Sequence, residues 1–299
     1  PYLSRGLGDV YKRQYLGGCH MIPNHAIIIL SLLFGDDDLQ KTLMIVNTAG
    51  HDTDCNSGNV GCIMGIKNGL EGLRNGPDYL TPIQDRMYCP TANGGETQTD
   101  ALTEAYKVIN TAKKMNKEET VEPKNGSRFH FEMPGSVQGW RSSFKNNKNI
   151  STIVQNTEYE SSIGKRALEI KFDRVAPGVC SEAVVDTFFP QELYELTGSA
   201  RERFFQSYNF ISCPLLYSGQ NIESEIIFKS NSQKPITVTC FINVFGEEDN
   251  YERMNSESVV LFPDKSQKLK WKIPSTEGNP ITQVGFSIES DEANSGSLI

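Results

Sequence analysis

The hydrophobic period of this chain changes once, and that change sets what the chain can fold into. Up to about residue 121 apolar residues recur at helical spacing. A charged, turn-forming stretch follows at 116–127, with Pro123 and Asn125-Gly126, and beyond it apolar and polar residues alternate with period two. A helix-period sequence and a strand-period sequence build different layers, so the chain reads as multi-domain. An all-α unit spans 15–121, and an all-β jelly-roll sandwich spans 122–299.

The helical part resolves into segments with starts and stops. Residues 25–34 are apolar all round and end at Gly35, which predicts a helix in the middle of a bundle. Asp36-Asp37-Asp38 opens a second helix at 39–47, and as an acidic helix start it reads as a solvated cap. A third, 57–73, carries Gly58, Gly61, Gly65 and Gly69 on one face, a pattern that predicts close approach of another helix. A fourth is predicted at 99–115. Eight strands are expected at 128–133, 151–155, 167–172, 224–228, 237–244, 258–262, 268–273 and 281–288, with no helix between them.

Composition narrows the function classes. The 29 Lys+Arg against 37 Asp+Glu give a net charge of −8, which disfavours nonspecific nucleic-acid binding and anionic membranes. The longest apolar run, 26–34, is less than half of a bilayer span. Seven cysteines form no CxxC pair and are odd in number, which reads as reduced thiols and slightly favours cytoplasm, with secretion or a periplasmic location left open. Residues 1–14 (PYLSRGLGDVYKRQ) have no periodic face, resemble translated adapter sequence, and are set aside as a non-native leader. The chain stops on an apolar pair, as a sandwich short of its final strand does.

The stretch 47–61, NTAGHDTDCNSGNVG, carries the most chemistry. Asp52 and Asp54, one residue apart in a loop, can converge on a hard cation such as Mg2+, Mn2+ or Ca2+, with Thr48, Thr53, Asn56, Ser57 and Asn59 as further oxygen donors. The competing reading is that Asp54 or Ser57 simply caps the glycine-rich helix. His20 and His25 read as packing or hydrogen-bonding residues. Together with Cys19-His-Met-Ile-Pro-Asn24 upstream, this stretch resembles the C-terminal half of the ADP-ribosylglycohydrolase family.

That resemblance implies a partial all-helical catalytic domain that uses two Mg2+ ions to hydrolyse the ribosyl bond of an ADP-ribosylated protein or small molecule. By position the metal ligands are Asp52, Asp54 and Cys55. Cys55 stands where the family carries a hydroxyl residue, so it either does not coordinate or shifts the preference toward Mn2+. His51, Asn56, Gly58 and Asn59 fall where substrate contacts are expected. The family's general base and remaining ligands come from a segment upstream of Tyr15, so this piece is expected to bind metal weakly and not to turn over. Another N- or O-glycosyl bond on the same fold is the alternative reaction.

The β part resembles galactose-binding-like modules that attach enzymes to glycans. Residues 129–140 look like its first strand, and Trp140 and Trp271 are the candidate sugar-stacking residues. The rival to the hydrolase is therefore a non-catalytic glycan-binding protein.

Overall fold

The computed structural model describes residues 19–89, 93–143, 152–190, 193, 196–207, 212–246 and 250–299, so the leader 1–14 lies outside the described residues. The chain divides into two compact units, Pro1–Pro82 and Ile83–Ile299.

The described residues of the first unit include three helices: α1 (Met21–Phe34), α2 (Leu39–Thr48) and α3 (Thr53–Arg74). His20 Nδ1 accepts the Ile22 amide (3.3 Å) and starts α1 earlier than the periodicity predicts. Asp38 accepts the Lys41 amide (2.6 Å) and caps α2. Ile27, Leu39, Val46, Val60 and Met64 form the core. Two expectations fail here. Only Pro23, Ile27 and Ser31 of α1 are buried while Leu30, Leu33 and Phe34 are exposed, so α1 does not lie in the middle of the described bundle. Of the four predicted glycines in α3, a Cβ on Gly58, Gly65 or Gly69 would meet nothing, and Gly61 alone faces a neighbour, Leu43. The close approach is instead at Gly35, where a Cβ would fall 1.9 Å from Thr42 Oγ1 and 2.8 Å from Ser31 O. Asp36 and Asp37 pair with Lys41 and Lys67 on the exposed surface. No described helix is long and apolar enough to cross a membrane.

The second unit opens with an antiparallel hairpin, β1 (Arg86–Tyr88) and β2 (Gln98–Asp100), followed by α4 (Ala101–Met115). The break between units falls at Pro82 rather than at residue 121 because 83–100 is tied to the turn before the sandwich. Asp85 Oδ2 accepts from Ser136 Oγ (2.6 Å) and the amides of Val137 (2.8 Å) and Gln138 (3.3 Å), and the Gly139 amide donates to Gln84 O (2.8 Å). Asp100 caps α4 through the Thr103 amide and also pairs with Arg128 at 2.8 Å. Residues 128–133 are not a strand: Gln138 Oε1 takes the amides of His130 and Phe131, and Phe131 sits at φ 59.

Two antiparallel sheets then pack face to face. One has the order β11 (Ser266–Lys272), β7 (Asn221–Lys229), β13 (Asn294–Leu298), β5 (Arg166–Val175), β4 (Thr152–Glu158). The other runs β10 (Val259–Leu261), β8 (Ile236–Phe245), β12 (Ile281–Glu289), β6 (Ser181–Asp186), β3 (Arg141–Ser142), with β9 (Tyr251–Asn255) also on β8. Inward residues such as Phe172, Phe228, Val238, Ile242 and Ile288 make the core. A helix, α5 (Gly198–Ser207), interrupts the strand series, against the expectation of none. The β-sandwich itself is as the alternation predicts.

Candidate functional site

In the first unit Asp52, Asp54 and Cys55 stand together, each offering one ligand atom within 4.8 Å of the others. Asp52 is the residue at the start of α3, in the left-handed region (φ 43, ψ 55), and makes no side-chain cap bond. Ser57 Oγ is spent on Asn47 Oδ1 (2.9 Å). Neither Asp54 nor Ser57 is therefore the helix cap, and the two carboxylates are left to face each other. Asn24, from α1, donates to Asp52 Oδ2, and Asn56 bridges Asn24 Oδ1 (3.4 Å) and His51 O (3.0 Å). Burial pushes the Asp52 carboxyl up, but hydrogen bonds from Cys55, Asn24 and Cys19 outweigh it and hold it below the usual carboxylate range. The Cys55 thiol is raised by its hydrogen bond to Asp52, and the Cys19 thiol by the Asp52 charge.

The other expected contacts are scattered. His51 is buried (2% exposed) with Nε2 making no hydrogen bond. Asn56 is buried in the bridge just described, whereas Gly58 and Asn59 are exposed and Asn59 bonds only Cys55 O within its own helix. His25 is exposed rather than packed. Among the described residues the donor set is two carboxylates and a thiol, enough to start the shell of one hard divalent ion completed by water.

In the second unit the tryptophans are not open platforms. Trp140 is 5% exposed, stacked on Phe286 (5.7 Å, 18°) and edge-on to Phe129 (5.7 Å, 79°). Trp271 lies on the inward face of β11 beside buried Leu269 and packs against the core. Trp140 sits in the turn before β3 and Trp271 on β11, and each packs against apolar core neighbours.

Instead, a polar row that sequence reasoning missed crosses the outer face of the six-stranded sheet. Asp186, Gln283, Asn243 and Arg253 are in register on β6, β12, β8 and β9. Asn243 donates to Gln283 Oε1 (2.9 Å), and Gln283 donates to Asp186 Oδ1 (3.0 Å). Asp186 also accepts from Arg141 (2.8 Å) and Tyr88 OH (3.4 Å). Arg253 pairs with Glu182 (2.8 Å) and lies 3.5 Å above the Phe241 ring. Between these groups Gly285 contributes no side chain, and a Cβ there would meet Ala183 O and Phe241 Cζ at 2.6 Å. The residues come from four strands far apart in sequence, and they become a row only once the register is known.

No protein-family model matches the chain, and no curated protein matches it. Among solved structures the chain is similar to carbohydrate-binding β-sandwich modules. The CBM22-1 xylan-binding domain of a Paenibacillus barcinonensis protein is 13% identical over 56% of this chain and 85% of that one, with a TM-score of 0.36. The C-terminal family 22 carbohydrate-binding module of a Clostridium thermocellum protein is 14% identical over 56% and 85%, with a TM-score of 0.34. A CBM28 module specific for non-crystalline cellulose is 9% identical over 55% and 84%, with a TM-score of 0.36. These values are too low to carry any residue's role across.

Proposed function

We propose that the second unit binds a neutral oligosaccharide, without catalysis, on the outer face of its six-stranded sheet. The row Asp186, Gln283, Asn243, Arg253 carries the reading: Arg253 is exposed and Asn243 half-buried at its open end, and buried Gln283 and Asp186 hold Asn243 from behind. Sugar hydroxyls both donate and accept, and are met by carboxylate, amide and guanidinium groups whose orientation is set in advance. Here the mutual hydrogen bonds do the setting, on strands rather than loops. Asn243 and Arg253, the members that reach the surface, stand on neighbouring strands about 4.8 Å apart, about the width of one sugar ring. The charges pair internally, Arg141 with Asp186 and Arg253 with Glu182, which leaves little net field for an anionic ligand. An oligosaccharide array probed with the full chain tests this. Neutral glycans should be retained by the wild type and lost in Gln283→Ala. Retention of none, or equal retention by the variant, refutes it.

A second reading concerns the first unit, because Asp52, Asp54 and Cys55 cluster. In it Asp52 and Asp54 hold a divalent ion, Mg2+ or Mn2+, in a hydrolase of ribosyl or other glycosyl bonds. When bound, the ion would supply Lewis-acid polarisation of the ribose oxygens. Asn24 and Asn56 hold Asp52 in place. Mn2+ binding followed by electron paramagnetic resonance should be weak, one-to-one and lost in Asp52→Asn/Asp54→Asn. Release of ADP-ribose with Mg2+, absent in that double variant, would establish the reaction, and no metal binding would remove the reading.

A further inference from the structure

We propose that the space between the two sheets of the second unit is a binding site for an uncharged, largely apolar small molecule that carries hydrogen-bond acceptor oxygens. This site lies on the opposite side of the six-stranded sheet from the polar row and is independent of it.

A cavity of about 1130 Å3 opens between the sheets, with Phe129, Phe131, Leu168, Ile222 and Phe286 among its walls. Packed interiors leave few voids larger than a water molecule, and ligand pockets run to roughly 1,000 Å3. Three polar atoms on the same cavity's lining residues are buried without a hydrogen-bond partner: Gln98 Nε2, Trp140 Nε1 and Ser224 Oγ. Gln98 is 4% exposed and Trp140 5%. An unmet buried polar group costs about 1–3 kcal/mol, so three around one cavity call for a common partner.

The chemistry of those atoms sets the partner. Gln98 Oε1 already accepts from Ser212 Oγ (2.7 Å), which leaves its amino end as the unspent group. The Trp140 indole only donates, and its ring is fixed between Phe129 and Phe286. Ser224 sits on the inward side of β7, opposite buried Leu269. Two donors and a hydroxyl ask for carbonyl, ether or hydroxyl oxygens on the ligand, and the aromatic and aliphatic walls ask for a hydrocarbon or aromatic body. The cations among the lining residues are taken: Lys107 by Glu96 and Glu104, Lys124 by Glu132, Arg128 by Asp100. An anionic ligand therefore finds no free counter-ion there. Water could meet the donors, but it would wet apolar wall at a cost of about 25 cal/mol per Å2.

The chain has two tryptophans, so Trp271→Phe leaves Trp140 as the sole indole and a reporter in the cavity wall. Nile red, uncharged and aromatic with a carbonyl oxygen, is titrated into the full chain carrying that substitution. Saturable one-to-one binding with quenching of Trp140 emission is expected. Ser224→Leu and Ile222→Phe fill the space from the same strand, and each should weaken binding at least tenfold. Circular dichroism identifies a variant that has failed to fold, in which case the other decides. No saturable binding, as for a water-filled cavity, or binding unchanged in the folded filling variants, as for dye on the surface, overturns the proposal.

Discussion

Asp85 tests most sharply why the second unit begins at Ile83. Its Oδ2 holds Ser136 Oγ (2.6 Å) and the Val137 and Gln138 amides (2.8 and 3.3 Å), and its backbone is left-handed at φ 62. In Asp85→Ala three donors lose their acceptor, each worth about 1–3 kcal/mol when buried, although water reaching the half-buried site recovers part. Alanine in the left-handed region adds about 1 kcal/mol. The sum is about 3–5 kcal/mol, which at about 2–4 °C per kcal/mol for a unit of this size lowers the melting temperature by about 6–20 °C. Asp85→Asn keeps an acceptor and tolerates the backbone, so its loss should be about 1–2 kcal/mol. Both tryptophans lie in the second unit, so their emission follows its melting alone. An Asp85→Ala protein melting within about 2 °C of wild type would refute the reasoning and detach 83–100 from the sandwich.

Three further outcomes follow from the same geometry. Burial holds the His130 imidazole below its ordinary value of about 6.5 despite the pull of Asp100 and Glu132, and Nδ1 accepts the Glu132 amide at 3.1 Å. The unfolded chain therefore takes up the proton first, and stability that is full above about pH 6.5 is lost as pH falls toward the folded value, so melting should drop between pH 7.5 and 5.5 and drop less in His130→Asn. Burial drives the Cys180 thiol to about 11 and Cys240 to about 12 while Cys62 and Cys213 are exposed, so Ellman's reagent should label Cys62 and Cys213 in the native protein and Cys180 and Cys240 only after denaturation. Gly285→Ala places a Cβ 2.6 Å from a backbone oxygen and should cost about 1–3 kcal/mol, seen as a melting temperature lower by about 2–12 °C; an unchanged value would mean that the β6–β12 spacing is looser than it stands.

What could be read from the sequence was local. The helices at 39–47 and 57–73 and the strands at 237–244 and 281–288 carry their own period, and the structure has them as Leu39–Thr48, Thr53–Arg74, Ile236–Phe245 and Ile281–Glu289. Asp52, Asp54 and Cys55 meet because they are neighbours in sequence. β6 escaped because it is buried at every position, including Glu182 and Asp186, which erases the alternation, and β13 escaped because its sequence NSGSL is polar. The row of Asp186, Gln283, Asn243 and Arg253 is set by pairing between distant strands, which no local period reports. Trp140 drew attention as an aromatic, yet its place between Phe129 and Phe286 depends on a fold-wide contact.

The central claim is that oligosaccharide lies on the polar row and not on an indole. Calorimetric titration of the strongest array ligand into wild type, Asn243→Ala and Trp271→Phe decides it. Asn243→Ala should weaken binding at least tenfold while circular dichroism shows it folded at the titration temperature, and Trp271→Phe should bind as wild type does. Undiminished binding by Asn243→Ala, with loss in Trp271→Phe, would contradict the account.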